Sequence, residues 1–408
     1  MGYALKLIAA IAAAAPACLS PALARTAVHA PTVARTEAVF PFLFEDGRLY
    51  VPVAIRGSAP LWFILDTGAT RTVIDSAVAA RMGIGASGDE EVTGAGPGSL
   101  HQAQAAATRL IVGTMPLDVA APAVADLARL LGPTGGRAPA GIIGSQLFRE
   151  HFVLIDFRRR QISLLPPSGR PAGFEASVPL TFDHFTPRAP VLLTLPSGRR
   201  MRADSVVDLG AKSTLLLAEP FIARAHLRSE FAATVTMGLG AGVGGATHYA
   251  FARAHRIAFA AAPRLALAAP VVGLSVGGTL KSADYDGLIG ADFLSHFRLG
   301  VDYAGSRLLL TRVGTVAAGF DMSGLFLVAS GPDLKRLEVR EVVAGGPGAK
   351  AGLAAGDEIV SLDGRPAAAV GLAAARRMLK SKPGRIVALA YRRGGERRTA
   401  VLRLESQL

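Results

Sequence analysis

The chain has 408 residues, half of them hydrophobic, and a formal net charge of +13. This length exceeds one typical domain and this composition can bury a large core, which excludes a globally disordered protein. Its one cysteine, Cys18, lies in the N-terminal apolar segment, so disulfides, thiol catalysis and cysteine metal sites are not expected elsewhere. The excess charge shows no aromatic-interleaved basic patch, so we expect a solvated basic surface and no nucleic-acid partner. Attraction to anionic envelope lipids or acidic substrates is the alternative.

The N-terminal segment has the pattern of a cleaved signal peptide spanning residues 1–24. Lys6 precedes an apolar run over residues 7–17, and Ala22-Leu23-Ala24 is a cleavage site before Arg25. A membrane anchor is the alternative, but the run is shorter than the roughly 20 residues that a spanning helix needs. Lipid attachment at Cys18 is not expected because the residues before it fit that signal poorly. The sequence therefore predicts a periplasmic or secreted protein.

The predicted elements begin after a linker over residues 25–36. Strands are predicted over residues 39–44 and 49–55, joined by an Asp46-Gly47 turn, and a third strand over 61–65 ends at Asp66. A helix is predicted over residues 76–82.

The second half repeats this order after a boundary at Pro166-Pro167-Ser168-Gly169. A strand over residues 191–195 leads through a Pro-Ser-Gly turn to a return strand that ends at Asp208, and a helix is predicted over 219–225.

Two ordered signals recur in the halves at nearly the same spacing. The first signal is Phe63-Ile64-Leu65-Asp66-Thr67-Gly68, which recurs as Ser205-Val206-Val207-Asp208-Leu209-Gly210. The second is Gly141-Ile142-Ile143-Gly144, which recurs as Gly287-Leu288-Ile289-Gly290. An aspartate that ends a buried strand is costly without partners, and the glycine two residues later lets the backbone turn back and offer N–H donors. A duplicated copy can bring two carboxylates together across a two-fold axis. Such a pair shares one proton and can activate water.

These motifs resemble the active-site and ψ-loop motifs of retropepsin-like aspartic proteases, and the tandem copies resemble a fused pepsin-like pseudo-dimer. The resemblance implies a mainly β protein with two pseudo-symmetric lobes, over residues 37–168 and 172–316. It further implies a monomer that needs no cofactor or metal and that acts on proteins or peptides. The implied residues are the catalytic pair Asp66 and Asp208, the active-site loop residues Thr67, Gly68, Ala69, Leu209 and Gly210, and the ψ-loop residues Ile142, Ile143, Gly144, Leu288, Ile289 and Gly290.

The second copy departs from this family pattern in two places. Leu209 stands where the family has a hydroxyl that hydrogen-bonds to the opposite active-site loop, so we expect this bond to form from one side only. Lys212 would lower a carboxylate pKa if it pointed inward, and we expect it on the surface instead.

Glycine-rich segments at residues 93–98 and 238–245 lie where the two flaps of such a protease are expected. Their hairpin tips could close over a substrate and exclude water, although ordinary mobile loops are the alternative.

Two competing signals are weaker. Gly273-Leu274-Ser275-Val276-Gly277 matches a nucleophile elbow, but the repeat already accounts for this segment. The eight histidines show no metal-ligand spacing, so a zinc site is unsupported.

Residues 320–408 follow a boundary at Ala317-Ala318-Gly319 and resemble a PDZ domain of α+β type. The resemblance rests on Gly346-Pro347-Gly348-Ala349-Lys350-Ala351-Gly352-Leu353 and on Gly356-Asp357-Glu358-Ile359-Val360. It implies that Gly324, Leu325 and Phe326 form a loop that binds the C-terminal carboxylate of a peptide. A module that only braces the protease lobes is the alternative.

The sequence as a whole predicts an exported aspartic endopeptidase with a C-terminal PDZ-like domain. A periplasmic peptide-binding or scaffold protein with a lapsed second half is the main alternative, favoured by Leu209. Pairing of first lobes from two chains is a third possibility.

Overall fold

β-Strands dominate the part of the chain that the computed structural model describes, which comprises residues 38–169, 171–281, 283–314 and 319–408. These residues lie in one compact unit, Ala34–Leu408. The predicted signal peptide, the linker, Cys18 and the predicted boundary residues Ala317 and Ala318 lie outside the described residues. No helix within the described ranges is both long and apolar enough to cross a bilayer.

The first lobe is built from thirteen strands and three short helices among these described residues. The strands are β1 (Ala38–Pro41), β2 (Leu43–Glu45), β3 (Arg48–Ile55), β4 (Leu61–Leu65), β5 (Val73–Asp75), β6 (Ala86–Thr93), β7 (Ser99–Ala105), β8 (Thr108–Val112), β9 (Met115–Val119), β10 (Ala123–Ala125), β11 (Gly141–Ile143), β12 (Phe152–Asp156) and β13 (Gln161–Leu165). The helices are α1 (Ser76–Arg81), α2 (Leu127–Gly135) and α3 (Ser145–Glu150).

The second lobe repeats these strands one for one in the described ranges. They are β14 (Ala176–Pro179), β15 (Thr181–Asp183), β16 (Thr186–Thr194), β17 (Arg200–Asp208), β18 (Leu215–Leu217), β19 (Val235–Gly242), β20 (Gly245–Arg253), β21 (Arg256–Phe259), β22 (Leu267–Ala268), β23 (Val271–Val276), β24 (Gly287–Gly290), β25 (Phe297–Asp302) and β26 (Arg307–Arg312). Its helices are α4 (Glu219–Arg224), a 3-10 turn (Leu227–Glu230) and α5 (Ala291–Leu294).

The strand order of the two lobe sheets shows the same repeat. The first sheet runs β6-β7-β10-β5-β11-β4-β3-β8-β9 with β2 paired to β3, and the second runs β19-β20-β23-β18-β24-β17-β16-β21-β22 with β15 paired to β16. Alternating burial explains the strands: Val51, Val53 and Ile55 of β3 are fully buried on one face. The predicted Asp46-Gly47 turn joins β2 to β3, with both residues at positive φ.

A separate sheet of the order β1-β13-β12-β25-β26-β14 joins the lobes. Its two central strands, β12 of the first lobe and β25 of the second, pair antiparallel, with Leu154 opposite Gly300. The two lobes are therefore related by an approximate two-fold axis that passes between β12 and β25, and neither lobe completes the sheet alone.

The C-terminal part is an α+β unit with its own hydrophobic core. Its elements are β27 (Leu325–Ser330), β28 (Arg336–Val342), α6 (Pro347–Lys350), β29 (Glu358–Leu362), β30 (Arg365–Pro366), α7 (Ala367–Val370), α8 (Leu372–Leu379), β31 (Ile386–Arg393) and β32 (Glu396–Arg403). The sheet order is β27-β28-β29-β31-β32, with β30 paired to β29. The mainly β fold class predicted from the sequence, with a C-terminal α+β unit, is confirmed. The predicted domain boundaries stay predictions.

This C-terminal unit packs against both lobes. Helix α2 of the first lobe contacts β27 and also β19 of the second lobe. Phe326 is buried in a cluster with Met237 and Phe251 of the second lobe. The unit therefore shares a hydrophobic cluster with the second lobe.

Candidate active site

Asp66 and Asp208 stand at corresponding places in the two lobes. Asp66 directly follows β4, and Asp208 is the last residue of β17. The apolar residues just before each aspartate are buried, Phe63, Ile64 and Leu65 in β4 and Val206 and Val207 in β17, and this burial carries each carboxyl group to the point where the backbone turns. The fold thus presents both carboxylates at the same end of equivalent strands.

The two carboxyl groups meet and share a side-chain hydrogen bond. Each also accepts backbone N–H donors from its own loop. Asp66 Oδ1 lies 2.7 Å from the nitrogen of Gly68 and 3.2 Å from that of Ala69. Asp208 Oδ1 lies 2.8 Å from the nitrogen of Gly210 and 3.0 Å from that of Ala211. These matched donors hold the two side chains in place.

Each loop glycine packs against the carboxylate of the opposite lobe. A Cβ atom at Gly68 would lie 2.9 Å from Asp208 Cγ. A Cβ atom at Gly210 would overlap the carboxylate of Asp66 even more severely. Glycine is therefore required at both positions by the close approach of the lobes rather than by backbone conformation.

The pair titrates as a coupled unit. Burial raises the pKa of Asp66, while N–H donors, the hydrogen bond from Asp208 and the charge of Arg48 oppose this rise. Burial raises the pKa of Asp208 well above its ordinary value, and the neighbouring charge of Asp66 raises it further. This asymmetry favours one proton on the pair, with Asp208 protonated and Asp66 ionised.

Thr67 links the two active-site loops by hydrogen bonds from the first lobe. Its buried hydroxyl donates to the carbonyl oxygen of Val207 at 2.6 Å and accepts the N–H of Leu209 at 3.0 Å. The side chain of Leu209 has no hydroxyl to return this bond and is instead buried in the hydrophobic core. The link between the loops is therefore one-sided.

The two hydrophobic-hydrophobic-Gly motifs lie beside the strands that carry the aspartates. β11 pairs parallel with β4, placing Ile142 next to Ile64, and the N–H of Asp66 donates to the carbonyl oxygen of Ile143 at 3.0 Å. β24 pairs parallel with β17 in the same way, placing Leu288 next to Val206 and Gly290 next to Asp208.

Close packing also accounts for the two glycines that end these motifs. A Cβ atom at Gly144 would overlap the carbonyl oxygen of Arg71, and one at Gly290 would come within 2.5 Å of the carbonyl oxygen of Ala211. Both motifs therefore support the loops that carry the aspartates.

The expected surface position of Lys212 is wrong. Its side chain is only 10% exposed and its Nζ lies 3.0 Å from Asp46 Oδ2 in the first lobe. Asp46 also pairs with Arg376 of α8. Burial alone would raise the pKa of Asp46, but the charges of Lys212, Arg376 and Lys380 hold it well below its usual range. Lys212 thus points inward, yet toward Asp46 rather than toward the aspartate pair.

The two glycine-rich segments form hairpin tips that touch each other. The first joins β6 to β7 and the second joins β19 to β20. Gly96 N–H donates to the carbonyl oxygen of Val243 at 2.8 Å, and Gly98 N–H donates to that of Gly244 at 2.9 Å. The second hairpin is also held by Glu341 of β28, which accepts the Gly238 N–H at 2.8 Å. These contacts tie the hairpins to one another and the second hairpin to the C-terminal unit.

The nucleophile-elbow pattern is not an active site. Ser275 is fully buried within β23, and its hydroxyl donates to the carbonyl oxygen of Leu217 at 2.6 Å. Within the described ranges, no group of three or more His, Cys, Asp or Glu side chains is placed to hold a metal ion.

The predicted PDZ loop is folded, but its donors are engaged internally. The N–H groups of Ser323 and Gly324 donate to Asp321 Oδ1, each at 2.8 Å, and the N–H of Leu325 donates to Ser323 Oγ at 3.1 Å. Phe326 packs on the second lobe rather than facing solvent. Binding of a peptide carboxylate by this loop stays a prediction.

Sequence reasoning missed several residues around the site. Arg48 is a buried cation whose charge acts on Asp66. Tyr303 is buried close enough to the aspartates for their charges to raise its pKa further above the value that burial sets. Its hydroxyl has no hydrogen-bond partner among the described residues. Only a folded structure brings such residues to the site, because each comes from a different part of the chain.

Comparison with known protein families finds matches to two parts of the chain, the Asp66 region of the first lobe and the C-terminal unit. Residues 51–147 match the family model described as aspartyl protease, and residues 338–393 match the model described as PDZ domain. No curated protein matches the chain. The first match spans β4, the Asp66 loop and β11, and the second spans most of the C-terminal sheet. The chain therefore carries an aspartyl protease domain in its first half and a PDZ domain at its C-terminal end.

Proposed function

We propose that the protein is an exported aspartic endopeptidase in which Asp66 and Asp208 together activate water. One observation carries the proposal: two aspartates from equivalent loops share a hydrogen bond, and each is cradled by two backbone N–H donors. Paired carboxylates that share one proton can act as base and acid in the same step.

The proposed step assigns a role to each carboxyl group. Asp66, which Arg48 and the backbone donors favour in its ionised form, takes a proton from a water molecule. Asp208, protonated because Asp66 lies beside it, donates to the carbonyl oxygen of the scissile peptide bond. The water oxygen adds to the carbonyl carbon as the C=O π bond opens, and no covalent bond to the enzyme forms. Asp66 then passes its proton to the peptide nitrogen as the C–N bond breaks, and a hydroxyl of the tetrahedral intermediate returns a proton to Asp208, which restores the starting state. Because one carboxyl group must be protonated, we expect an acidic to mildly acidic optimum.

A peptide would reach the pair beneath the two hairpin tips. The contacts from Gly96 to Val243 and from Gly98 to Gly244 close the tips over one another. We propose that these two hydrogen bonds open to admit substrate and that the tips then exclude water from the site.

Export follows from the sequence pattern of residues 1–24. We propose cleavage after Ala24 and a periplasmic or secreted location, with the PDZ domain recognising peptides. Mass determination of the N-terminus of the protein purified from the cell envelope or medium tests this part. A mature chain that still begins at Met1 would exclude it.

The second candidate is a peptide-binding protein without catalysis, and Leu209 favours it because the second loop lacks the reciprocal hydroxyl. Cleavage of a denatured protein, measured across pH with and without a statine-type inhibitor, separates the two. We expect inhibitor-sensitive cleavage that is lost in both Asp66→Asn and Asp208→Asn. Full activity in Asp208→Asn would exclude the two-lobe mechanism. Specific activity that rises with protein concentration would indicate pairing of first lobes from two chains.

A further inference from the structure

The outer strands of the two glycine-rich hairpins have different surroundings. In the first lobe β6 is the edge of its sheet, and all but one of its residues are exposed. In the second lobe β19 is the equivalent edge strand, yet all but one of its residues are buried or half-buried. Helix α2 and strands β27 and β28 of the PDZ domain pack against β19. The PDZ domain therefore covers one of the two hairpins, whereas the outer strand of the other faces solvent.

One carboxylate of the PDZ domain bridges both strands of this second hairpin. Glu341 of β28 accepts the N–H of Gly238 in β19, with 2.8 Å between the nitrogen and Oε2. Its other oxygen, Oε1, lies 2.7 Å from Nε2 of His248 in β20. Gly238 and His248 stand directly opposite one another in the ladder. Glu341 therefore fastens the two strands to each other and to the PDZ domain at a single point.

The point of attachment is the irregular place in the hairpin. The register of β19 and β20 shifts between Gly238 and Gly240, so the ladder carries a bulge next to the residues that Glu341 contacts. A bulge interrupts the hydrogen bonds of the ladder and bends the strand. Hydrogen bonds to an ionised carboxylate are stronger than those between neutral groups. The bend that directs the hairpin tip is thus held beside Glu341.

Gly238 also lies against the PDZ domain with no room for a side chain. A Cβ atom at this position would come 2.7 Å from Cε1 of Phe326 and 3.0 Å from Oε1 of Glu341. Phe326 is itself buried in a cluster with Met237 and Phe251 of the second lobe. The contact between the hairpin and the PDZ domain is therefore closely packed as well as hydrogen-bonded.

The anchored hairpin in turn holds the tip of the first one. Both hydrogen bonds between the tips end on carbonyl oxygens of the second hairpin, at Val243 and Gly244. A further link starts at His248, whose backbone nitrogen lies 3.2 Å from Thr279 Oγ1. The N–H of the following residue, Leu280, donates to the carbonyl oxygen of Ala95 in the first tip at 3.2 Å. A shift of the second hairpin would therefore disturb both tips.

We propose that Glu341 is a positioning residue, which fixes the second hairpin and so keeps both tips where they close over Asp66 and Asp208. The PDZ domain is then part of the cover of the candidate active site as well as a separate module. The effect of Glu341 on cleavage rests on the proposed peptidase function. Its hold on the tips does not, and can be measured without substrate.

Hydrogen–deuterium exchange of the full chain measures that hold. Glu341→Ala should make the amides of Gly96 and Gly98 exchange at least about tenfold faster, because the tips open more often. These amides belong to the first hairpin, so loss of the Gly238 hydrogen bond alone would leave them unchanged. Glu338→Ala removes another carboxylate of β28, one that lines a small pocket within the PDZ domain, and as the control should leave the exchange unchanged.

Steady-state cleavage measures the consequence for catalysis. Glu341→Ala should lower kcat and raise KM together, so that kcat/KM falls at least about tenfold, as expected when a closing element is loosened. A variant that merely folds less completely would lower the apparent kcat and leave KM unchanged, so the rise in KM is the decisive readout. Glu341→Gln keeps an oxygen for the Gly238 N–H and an amide group for His248, and should stay within about threefold of the unaltered protein.

A second variant acts on the same contact from the other side. Gly238→Ala places a methyl group against Phe326 and leaves Glu341 in place. Overpacking should push the hairpin away from the PDZ domain, so we expect faster exchange at Gly96 and Gly98 and a higher KM, as in Glu341→Ala. Thermal unfolding shows that each variant is folded at the temperature of the assay.

Three results would overturn this role of Glu341. They are an unchanged exchange rate of Gly96 and Gly98 in Glu341→Ala, a KM that stays the same or a kcat/KM that rises in that variant, and equal effects in Glu338→Ala. An unaltered protein that cleaves no peptide would instead exclude the proposed peptidase function. The exchange of the tip amides would still show whether Glu341 holds the hairpins.

Discussion

The two lobes have the same strand order and the same pair of backbone donors at each aspartate, but the loops that carry the aspartates are tied together differently. In the first lobe Thr67 forms two hydrogen bonds to the opposite loop. In the second lobe Leu209 occupies the equivalent place and packs in the core. Four residues after each aspartate the lobes differ again: Thr70 is exposed, whereas Lys212 is buried in an ion cluster.

This difference shows that the position of each carboxylate does not depend on a hydroxyl of its own loop bonding to the opposite loop. The second loop keeps its aspartate in position through the N–H groups of Gly210 and Ala211, while Thr67 supplies the link from the other side. Lys212 adds a further tie, through Asp46, to the first lobe and the PDZ domain. A lobe can thus lose one hydroxyl and still hold its carboxylate toward its partner.

The largest expected effect tests whether the lobes contribute equally to catalysis. Both Asp66→Asn and Asp208→Asn should lower kcat by at least about 10³-fold, since each removes one member of an acid–base pair. Cleavage of a denatured protein at the pH optimum measures this loss. Asp118→Asn, a change at an exposed aspartate paired with Arg109, serves as the control and should retain activity. A large loss of kcat in only one of the two variants would show that the two aspartates contribute unequally to catalysis.

The next prediction compares the loop links directly. Thr67→Val should lower the free energy of unfolding by about 2–4 kcal/mol, because it leaves the Val207 carbonyl and the Leu209 N–H buried without their partner. Leu209→Val should cost only about 1 kcal/mol, the usual price of one buried methylene. Urea denaturation of both variants gives the two values. Similar losses would mean that the hydroxyl link matters little.

A smaller effect is expected at the glycines that contact the opposite carboxylates. Gly68→Ala and Gly210→Ala should each destabilise the protein by about 1–3 kcal/mol through overpacking, with Gly210→Ala the more harmful because its Cβ meets Asp66 more closely. Thermal unfolding checks the order. Gly85→Ala, where nothing lies within 4 Å of the added Cβ, should be tolerated. If Gly68→Ala were the more harmful change, the loop of Gly68 would be less able than the loop of Gly210 to shift away from the opposite carboxylate.

The smallest effect concerns pH. Because folding raises the pKa of Asp208, the native state binds more protons than the unfolded state, and stability falls as pH rises through and above the ordinary value of 3.8. Asp208→Asn should therefore stabilise the protein at pH 7, by about 1.4 kcal/mol for every tenfold by which folding strengthens proton binding at Asp208. This gain should vanish below about pH 4, where both states are protonated. Unfolding curves at pH 3 and pH 7 measure the difference, and an equal effect at both values would contradict the shared proton.

Much of the fold could be predicted from the repeated sequence. The apolar runs that end in Asp66 and Asp208 form strands β4 and β17 and are buried where they approach the aspartates, and the Asp46-Gly47 turn has the φ values that its sequence favours. The two hydrophobic-hydrophobic-Gly motifs lie beside the aspartate strands. The family comparisons confirm the aspartyl protease and PDZ resemblances in residues 51–147 and 338–393. The catalytic assignment stays a proposal.

The contacts between domains could not be predicted from the sequence. The expectation that Lys212 lies on the surface failed because a lysine four residues after a turn shows no sign of distant partners. Its partners, Asp46 and Arg376, come from a first-lobe turn and from the PDZ helix. The engaged amides of Gly324 and Leu325 likewise depend on Asp321 and Ser323, whose side chains also favour ordinary turns.

The sheet that joins the lobes has a consequence for how the chain folds. Its central pair, Leu154 and Gly300, lies roughly 150 residues apart along the chain, and contacts between such distant residues slow folding. During synthesis the first lobe emerges with the edge of β12 unpaired until β25 arrives. An unpaired strand edge is a template for association with another chain. Until β25 is available to pair with β12, the chain therefore exposes a strand edge through which two copies could associate.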